Sequence, residues 1–253
     1  MKVYFVGAGP GDPELMTIKA ERLIKSCKVC IYAGSLVSDE VVAMIPDSAE
    51  KYDSAKMSLD DTSRVIKDAS DSGVDVIRLH SGDPSIYGAI GEQMRELDKF
   101  NIDYEVVPGV SSFQASAAAI KKELTAPEVS QTIILTRIAG RTPVPDEQDL
   151  ALLGKSKATL CVFLSVSKIG DVADKLKESY GAACPVKVVY RASWPDQQII
   201  EGTLLNIHGR VKAKSITKTA MIIIGWALDD GNEAVSKLYD KDFSHEYRKK
   251  RMK

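Results

Sequence analysis

Short apolar runs alternate with amphipathic stretches along most of the chain. Lys2 to Ala8 is a compact apolar run and predicts a buried first strand. A helix is predicted from about Thr17 to Ser26, with Ile18, Leu23 and Ile24 as its apolar positions. Val29 to Tyr32 reads as the second strand. Leu59 to Ser72 reads as a helix, with Gly73 suited to its stop. Val74 to Leu79 predicts a strand, Ile86 to Phe100 a helix and Tyr104 to Val107 a strand. An alanine-rich helix follows from about Ser112 to Lys122.

The alternation then restarts. Thr132 to Leu135, Thr159 to Leu164, Val186 to Tyr190 and Met221 to Gly225 are strand-like, with a helix from about Lys168 to Tyr180 between two of them. Alternation of this kind predicts an α/β protein with mainly parallel pairing in the first half. Shorter elements in the second half point to a mixed sheet. The polar stretch Lys121 to Ser130, with Pro127, supplies the boundary. Two α/β domains are expected, 1–122 and 123–230, followed by a basic tail at 231–253. From Lys237 to Lys253 the chain carries seven Lys or Arg against three Asp or Glu. That tail suits either an anionic partner or a solvated end.

Composition narrows the classes. A formal net charge of −1 gives no footprint of nucleic-acid binding. No run reaches the ~20 apolar residues of a membrane span. Met1 leads straight into the first strand, so no leader is expected and the cytoplasm is the expected compartment. Cys27 and Cys30 form a lone Cys-x-x-Cys without a second pair. His80, His208 and His245 are scattered. No metal site is therefore expected, and buried reduced thiols are.

The first glycine loop carries the first functional signal. Gly7-Ala8-Gly9-Pro10-Gly11-Asp12-Pro13 stands between a strand and a helix, as a dinucleotide loop does. Its spacing is wrong, because Asp12 occupies the place of the third glycine and would repel a pyrophosphate. Pro10 and Pro13 remove N–H donors. The loop suits a ligand without phosphates that needs close backbone approach. Two further loops follow strands: Ser81-Gly82-Asp83-Pro84-Ser85-Ile86-Tyr87-Gly88, and Pro108-Gly109-Val110-Ser111-Ser112. The last is no hydrolase elbow, since position 113 is Phe.

Val6 to Pro13, Arg78 to Gly88 and Val106 to Ser112, in this order, resemble the signatures of the tetrapyrrole methylase family. The resemblance extends to about Leu228 and implies two α/β domains with a cofactor cleft between them. It also implies S-adenosylmethionine as methyl donor, S-adenosylhomocysteine as product, and a homodimer. Leu135 to Pro145, Tyr190 to Asp196 and Tyr32 to Val37 resemble the branch that methylates carbon 11 of a corrin precursor, with or without cobalt. Siroheme-forming members carry an aspartate where this chain has Ala33, which counts against uroporphyrinogen as substrate. A carrier that binds tetrapyrrole without turnover would have no use for the donor loops.

Carried over position by position, the resemblance implies cofactor contacts at Pro10, Ser81, Gly82, Asp83, Ile86, Ser111, Ser112, Leu164, Ala192 and Ala220. Leu164 departs from the methionine of the siroheme enzymes. Asp83 is either a partner of the cofactor or a helix cap. Arg137, Arg141 and Arg191 follow strand-like segments and are candidates for the substrate's carboxylates, which guanidinium forks match. The alternative for them is surface ion pairing. Trp194 is read either as a stacking platform for the macrocycle or as packing. Lys56, Asp83 and Tyr87 are candidates for removing a proton.

Overall fold

The computed structural model describes residues 1–140, 142–231, 243, 244 and 246. Arg141, His245 and most of the expected tail lie outside the described residues. The chain forms two compact units. One comprises Met1–Ala119 with Arg191–Gln198, the other Ile120–Tyr190 with the described residues from Ile199 onward. The sequence places a single cut near 122; in the structure the connection at 191–198 goes with the first unit.

The first unit holds β1 (Lys2–Gly7), α1 (Ile18–Lys25), β2 (Val29–Tyr32), α2 (Asp39–Val42) and β3 (Glu50–Asp53). It continues with α3 (Leu59–Asp71), β4 (Val76–His80), α4 (Ile90–Lys99), β5 (Asp103–Val107) and α5 (Ser112–Ala119). The sheet order is β3-β2-β4-β1-β5, and every pairing is parallel. The apolar runs are buried on both faces, as a parallel sheet requires. Val3 and Phe5 of β1 pack to one side with Ile31 and Val76; Val6 packs to the other with Cys30, Ile77 and Leu79. Thr17 caps α1 through Ala20 N, and Ser58 with Asp61 forms a capping box on α3.

Two helices differ from expectation. Ile18, expected on the apolar face of α1, is 86% exposed. It is the first residue after the Thr17 cap, and the buried stripe is Ala20 and Ile24, four residues apart. The helix expected from Ile86 begins only at Ile90. Tyr87 (φ 55°) and Ala89 (φ 50°) are left-handed and interrupt any earlier turn.

The second unit holds β6 (Ile133–Arg137), α6 (Leu150–Leu153), β7 (Thr159–Phe163), α7 (Ile169–Tyr180) and β8 (Pro185–Tyr190). It ends with β9 (Gln198–Thr203), α8 (Ile207–Ala213) and β10 (Ala220–Ile224). Its order is β6-β7-β10-β8-β9, with β6 parallel to β7 and β10 antiparallel to both β7 and β8. The sheet is mixed, as expected. Leu160, Val162, Leu176, Val188, Ile207 and Ile222 fill its core. Among the described residues, no helix is long and apolar enough to cross a membrane, and no cluster of His, Cys, Asp and Glu suits a metal ion. All four cysteines are free and buried, and burial pushes the Cys161 and Cys184 thiols up to about 12.

β4 carries two buried polar side chains beside the apolar ones. Arg78 donates to Gln93 Oε1 (3.0 Å) and to the carbonyls of Ile31 (3.3 Å) and Leu79 (3.4 Å). His80 packs its ring 6.0 Å from that of Phe5, and its Nε2 is buried without a hydrogen-bond partner. Burial, helped by the Arg78 charge, holds His80 down at about 3. The unfolded chain instead binds this proton near pH 6.5. Stability from the neutral imidazole is therefore complete above about pH 6.5 and is lost as pH falls from there towards 3, by at most about 1.4 kcal/mol per pH unit. Denaturant midpoints measured between pH 7 and 4 should fall more steeply for the natural chain than for a His80→Leu variant. Equal slopes would show that His80 is not held neutral.

Candidate functional site

The three signature loops leave the carboxyl ends of β1, β4 and β5, which are neighbours in the order β4-β1-β5. They meet backbone to backbone. Ala8 N donates to His80 O (2.7 Å), Gly82 N to Gly9 O (2.8 Å) and Gly9 N to Gly82 O (3.3 Å). A Cβ on Gly7 would lie 2.6 Å from Gly82 O and 2.7 Å from Gly109 Cα. One on Gly109 would lie 2.2 Å from Gly82 O. No side chain fits at either position. Gly9 (φ 73°) and Gly82 (φ 65°) are also left-handed, which glycine adopts without steric cost.

Asp83 fastens this junction. Its Oδ1 accepts from Ser85 N (2.8 Å) and its Oδ2 from Gly109 N (2.9 Å). The carboxylate thus caps its own turn and also clasps the third loop. Ile86 closes that turn, donating its N–H to Asp83 O (3.2 Å), and is half-buried. In the third loop Ser111 is buried, and its carbonyl accepts from Gln114 N and Ala115 N at the start of α5. Its own N–H goes to Gln114 Oε1 (2.9 Å). Ser112 is the first residue of α5.

The first loop is held by side chains from elsewhere in its unit. Ser38 Oγ donates to Gly11 O (2.6 Å), Asp12 N to Ser193 Oγ (3.0 Å) and Trp194 Nε1 to Pro10 O (2.8 Å). Asp12 turns its carboxylate back onto Glu14 N (2.9 Å). Neither Ser38 nor Ser193 is identifiable from the sequence, because both are local hydroxyls whose partners lie far along the chain. Trp194 packs; the Arg191 guanidinium sits 4.8 Å over its ring and pairs with Asp196 (2.7 Å). Ala192, between them, is buried.

In the second unit the candidate residues gather on one edge of the sheet. Arg137 ends β6 beside Phe163, Leu164 follows β7, and Ala220 starts β10 opposite Tyr190, the last residue of β8. Leu164 is left-handed (φ 53°) and 70% exposed, and Thr219 (φ 55°) is left-handed too. Such backbone costs of order 1–3 kcal/mol per residue and persists where the surroundings impose it, commonly at functional sites. Arg137 donates from Nη1 to Thr142 O (2.9 Å) and from Nη2 to Pro143 O (2.7 Å), so its fork grips its own loop. Ile138 N to Ser165 Oγ (3.0 Å) and Lys168 Nζ to Ala139 O (2.9 Å) tie the same loop down. Arg141 lies outside the described residues. Lys56 is exposed at the end of a short turn, Ser54–Lys56, after β3, and Tyr87 is 45% exposed.

No lysine or arginine stands in 7–13, 81–88 or 108–112. The loops present bare glycine backbone and two tethered carboxylates. That donor set fits a nucleoside without phosphates, as S-adenosylmethionine is, and disfavours a dinucleotide. Comparison with known proteins agrees. The family model described as tetrapyrrole (corrin/porphyrin) methylases matches residues 2–207. The chain is 52% identical to the cobalt-precorrin-4 C(11)-methyltransferase of Methanocaldococcus jannaschii, covering 100% of this chain and 98% of that one. A solved cobalt precorrin-4 methyltransferase, a cobalamin biosynthetic enzyme, superposes with a TM-score of 0.88 at 43% identity, over 90% of this chain and 96% of that one. Uroporphyrin-III C-methyl transferase from Thermus thermophilus, solved with S-adenyl homocysteine, gives 0.75 at 30% identity, over 90% and 93%. With its three loops, its two sheets and these likenesses together, the chain belongs to the tetrapyrrole (corrin/porphyrin) methylases.

Proposed function

We propose that this protein transfers the methyl group of S-adenosylmethionine to carbon 11 of precorrin-4 or its cobalt complex, in cobalamin biosynthesis. The observation that carries the reading is the full-length match to a cobalt-precorrin-4 C(11)-methyltransferase, joined to three adjacent loops that carry no lysine or arginine for a phosphate. The sulfonium donor supplies an already activated methyl group, so the chain's own task is positioning, which can contribute ~7–11 kcal/mol. Pro10, Ser81, Gly82, Asp83, Ile86, Ser111 and Ser112 hold the donor on the first unit. Ala192, in the same unit, is a further candidate contact.

For the proton released from the ring, Lys56 and Tyr87 are favoured over Asp83. Both side chains are exposed, and Asp83 is half-buried and fastens the junction of the second and third loops. Arg137 serves the substrate by holding the carbonyls of Thr142 and Pro143, Arg141 is the candidate for its carboxylates, and Arg191, paired with Asp196 and set over the Trp194 ring, acts on the protein itself. A cytoplasmic homodimer is the assembly this reading expects.

Incubation of the purified protein with S-adenosylmethionine and precorrin-4 should give a product one methyl group heavier, with the new group at carbon 11. A product methylated at another carbon, or none with either form of the substrate, would overturn the reading. Gly109→Ala should abolish S-adenosylhomocysteine binding in calorimetry and lower stability by about 1–3 kcal/mol, because the added methyl cannot pass Gly82 O. Arg137→Lys keeps the charge but cannot span Thr142 O and Pro143 O together. Steady-state kinetics should show a raised KM for the tetrapyrrole at unchanged cofactor affinity; an unchanged KM would remove this residue from substrate positioning.

A further inference from the structure

Trp194 touches the loop that the proposed function assigns to the methyl donor by two separate means, and its ring is itself held in place. Its indole N–H, the only hydrogen bond the side chain can donate, goes to Pro10 O at 2.8 Å. Its ring edge fills the space beside Gly11, where an added Cβ would lie 2.1 Å from Cδ1 and 2.2 Å from Nε1. One face of the ring is covered by the Arg191 guanidinium at 4.8 Å, and Asp196 anchors that guanidinium in turn. The adjacent Ser193 accepts from Asp12 N, while Ser38 donates to Gly11 O. Three consecutive loop residues, 10 to 12, therefore have a backbone polar group fixed by a distant side chain.

The turn that presents the indole is itself held in unusual backbone. Arg191 (φ 45°) and Ser193 (φ 70°) are left-handed without being glycine, and Ser193 N is taken by Gln197 Oε1 at 2.8 Å. This turn brings Oγ of Ser193 to residue 12 and Nε1 of Trp194 to residue 10 of one loop.

We propose that Trp194 is a positioning residue for methyl transfer: it seats the Pro10–Gly11 corner and thereby fixes the donor, and it is not a stacking platform for the macrocycle. The proposal rests on the reading that the first loop binds S-adenosylmethionine. Misplacement of a reacting group by about 1 Å can lower a rate on the order of 100-fold, so a loosened corner has a kinetic signature.

Trp194→Phe keeps a ring and removes the N–H. Losing one neutral hydrogen bond corresponds to roughly a 2- to 13-fold change in an equilibrium constant. Calorimetry with S-adenosylhomocysteine should show Kd rising within that range, with a fall in kcat and no change in the tetrapyrrole KM. Ser193→Ala, which removes the acceptor of Asp12 N, should move the same two quantities in the same direction and serves if the first variant folds poorly. A lower melting temperature with unchanged Kd and kcat would overturn the proposal, as would a raised tetrapyrrole KM with Kd unchanged. If the natural chain itself took up no S-adenosylhomocysteine, the donor reading and this proposal would both fall. Uptake by the natural chain with identical affinity in both variants would defeat the role of Trp194 alone.

Discussion

Three backbone segments can touch only where none of them carries a side chain. Gly7, Gly82 and Gly109 satisfy that constraint at the carboxyl ends of three adjacent parallel strands, and the rest of the first unit follows from it. Parallel strands with helical crossovers deliver their exits to one edge of a sheet. The pairing of Gly9 with Gly82 then carries the sheet's hydrogen bonding one step past the strands and into the loops. What emerges is a floor of backbone atoms with no side chains between them. A ligand laid on such a floor is recognised through N–H and C=O groups, whose positions are fixed by the sheet below.

The charged groups near this floor act mostly on the protein itself. Asp12 and Asp83 each take backbone N–H groups of their own turns, and Asp83 reaches across to Gly109 as well. Arg137 grips two carbonyls of its own loop, and Arg191 is held between Asp196 and the Trp194 ring. Held in this way, long side chains lose their rotamer freedom on folding and not on binding. That is the condition under which loops can orient a reactive donor at low entropic cost.

Much of this was legible from the order of residues. Continuous apolar runs such as Lys2–Gly7 and Val29–Tyr32 are buried on both sides and read directly as strands. β3, with the sequence Glu-Lys-Tyr-Asp, and β9, which carries Gln198 and Glu201, end their sheets and are half polar, so no apolar run marks them. The late start of α4 was invisible because Tyr87 and Ala89 take left-handed backbone without the glycine that usually signals it. The glycine loops were visible as places of close approach, but sequence alone suggests approach by a ligand. The structure shows that Gly7 and Gly109 are needed first by each other and by Gly82. Contacts between residues about 180 positions apart, such as Trp194 with Pro10, have no local pattern that could reveal them.

The most direct test of this account is a crystal structure of the protein grown with S-adenosylhomocysteine. The account expects the nucleoside to lie against Pro10, the 81–83 backbone and Ser111–Ser112, with Gly7, Gly82 and Gly109 still in mutual contact beneath it. A nucleoside bound against other residues, or a glycine junction that opens to admit it, would contradict the claim that this backbone floor is the donor site.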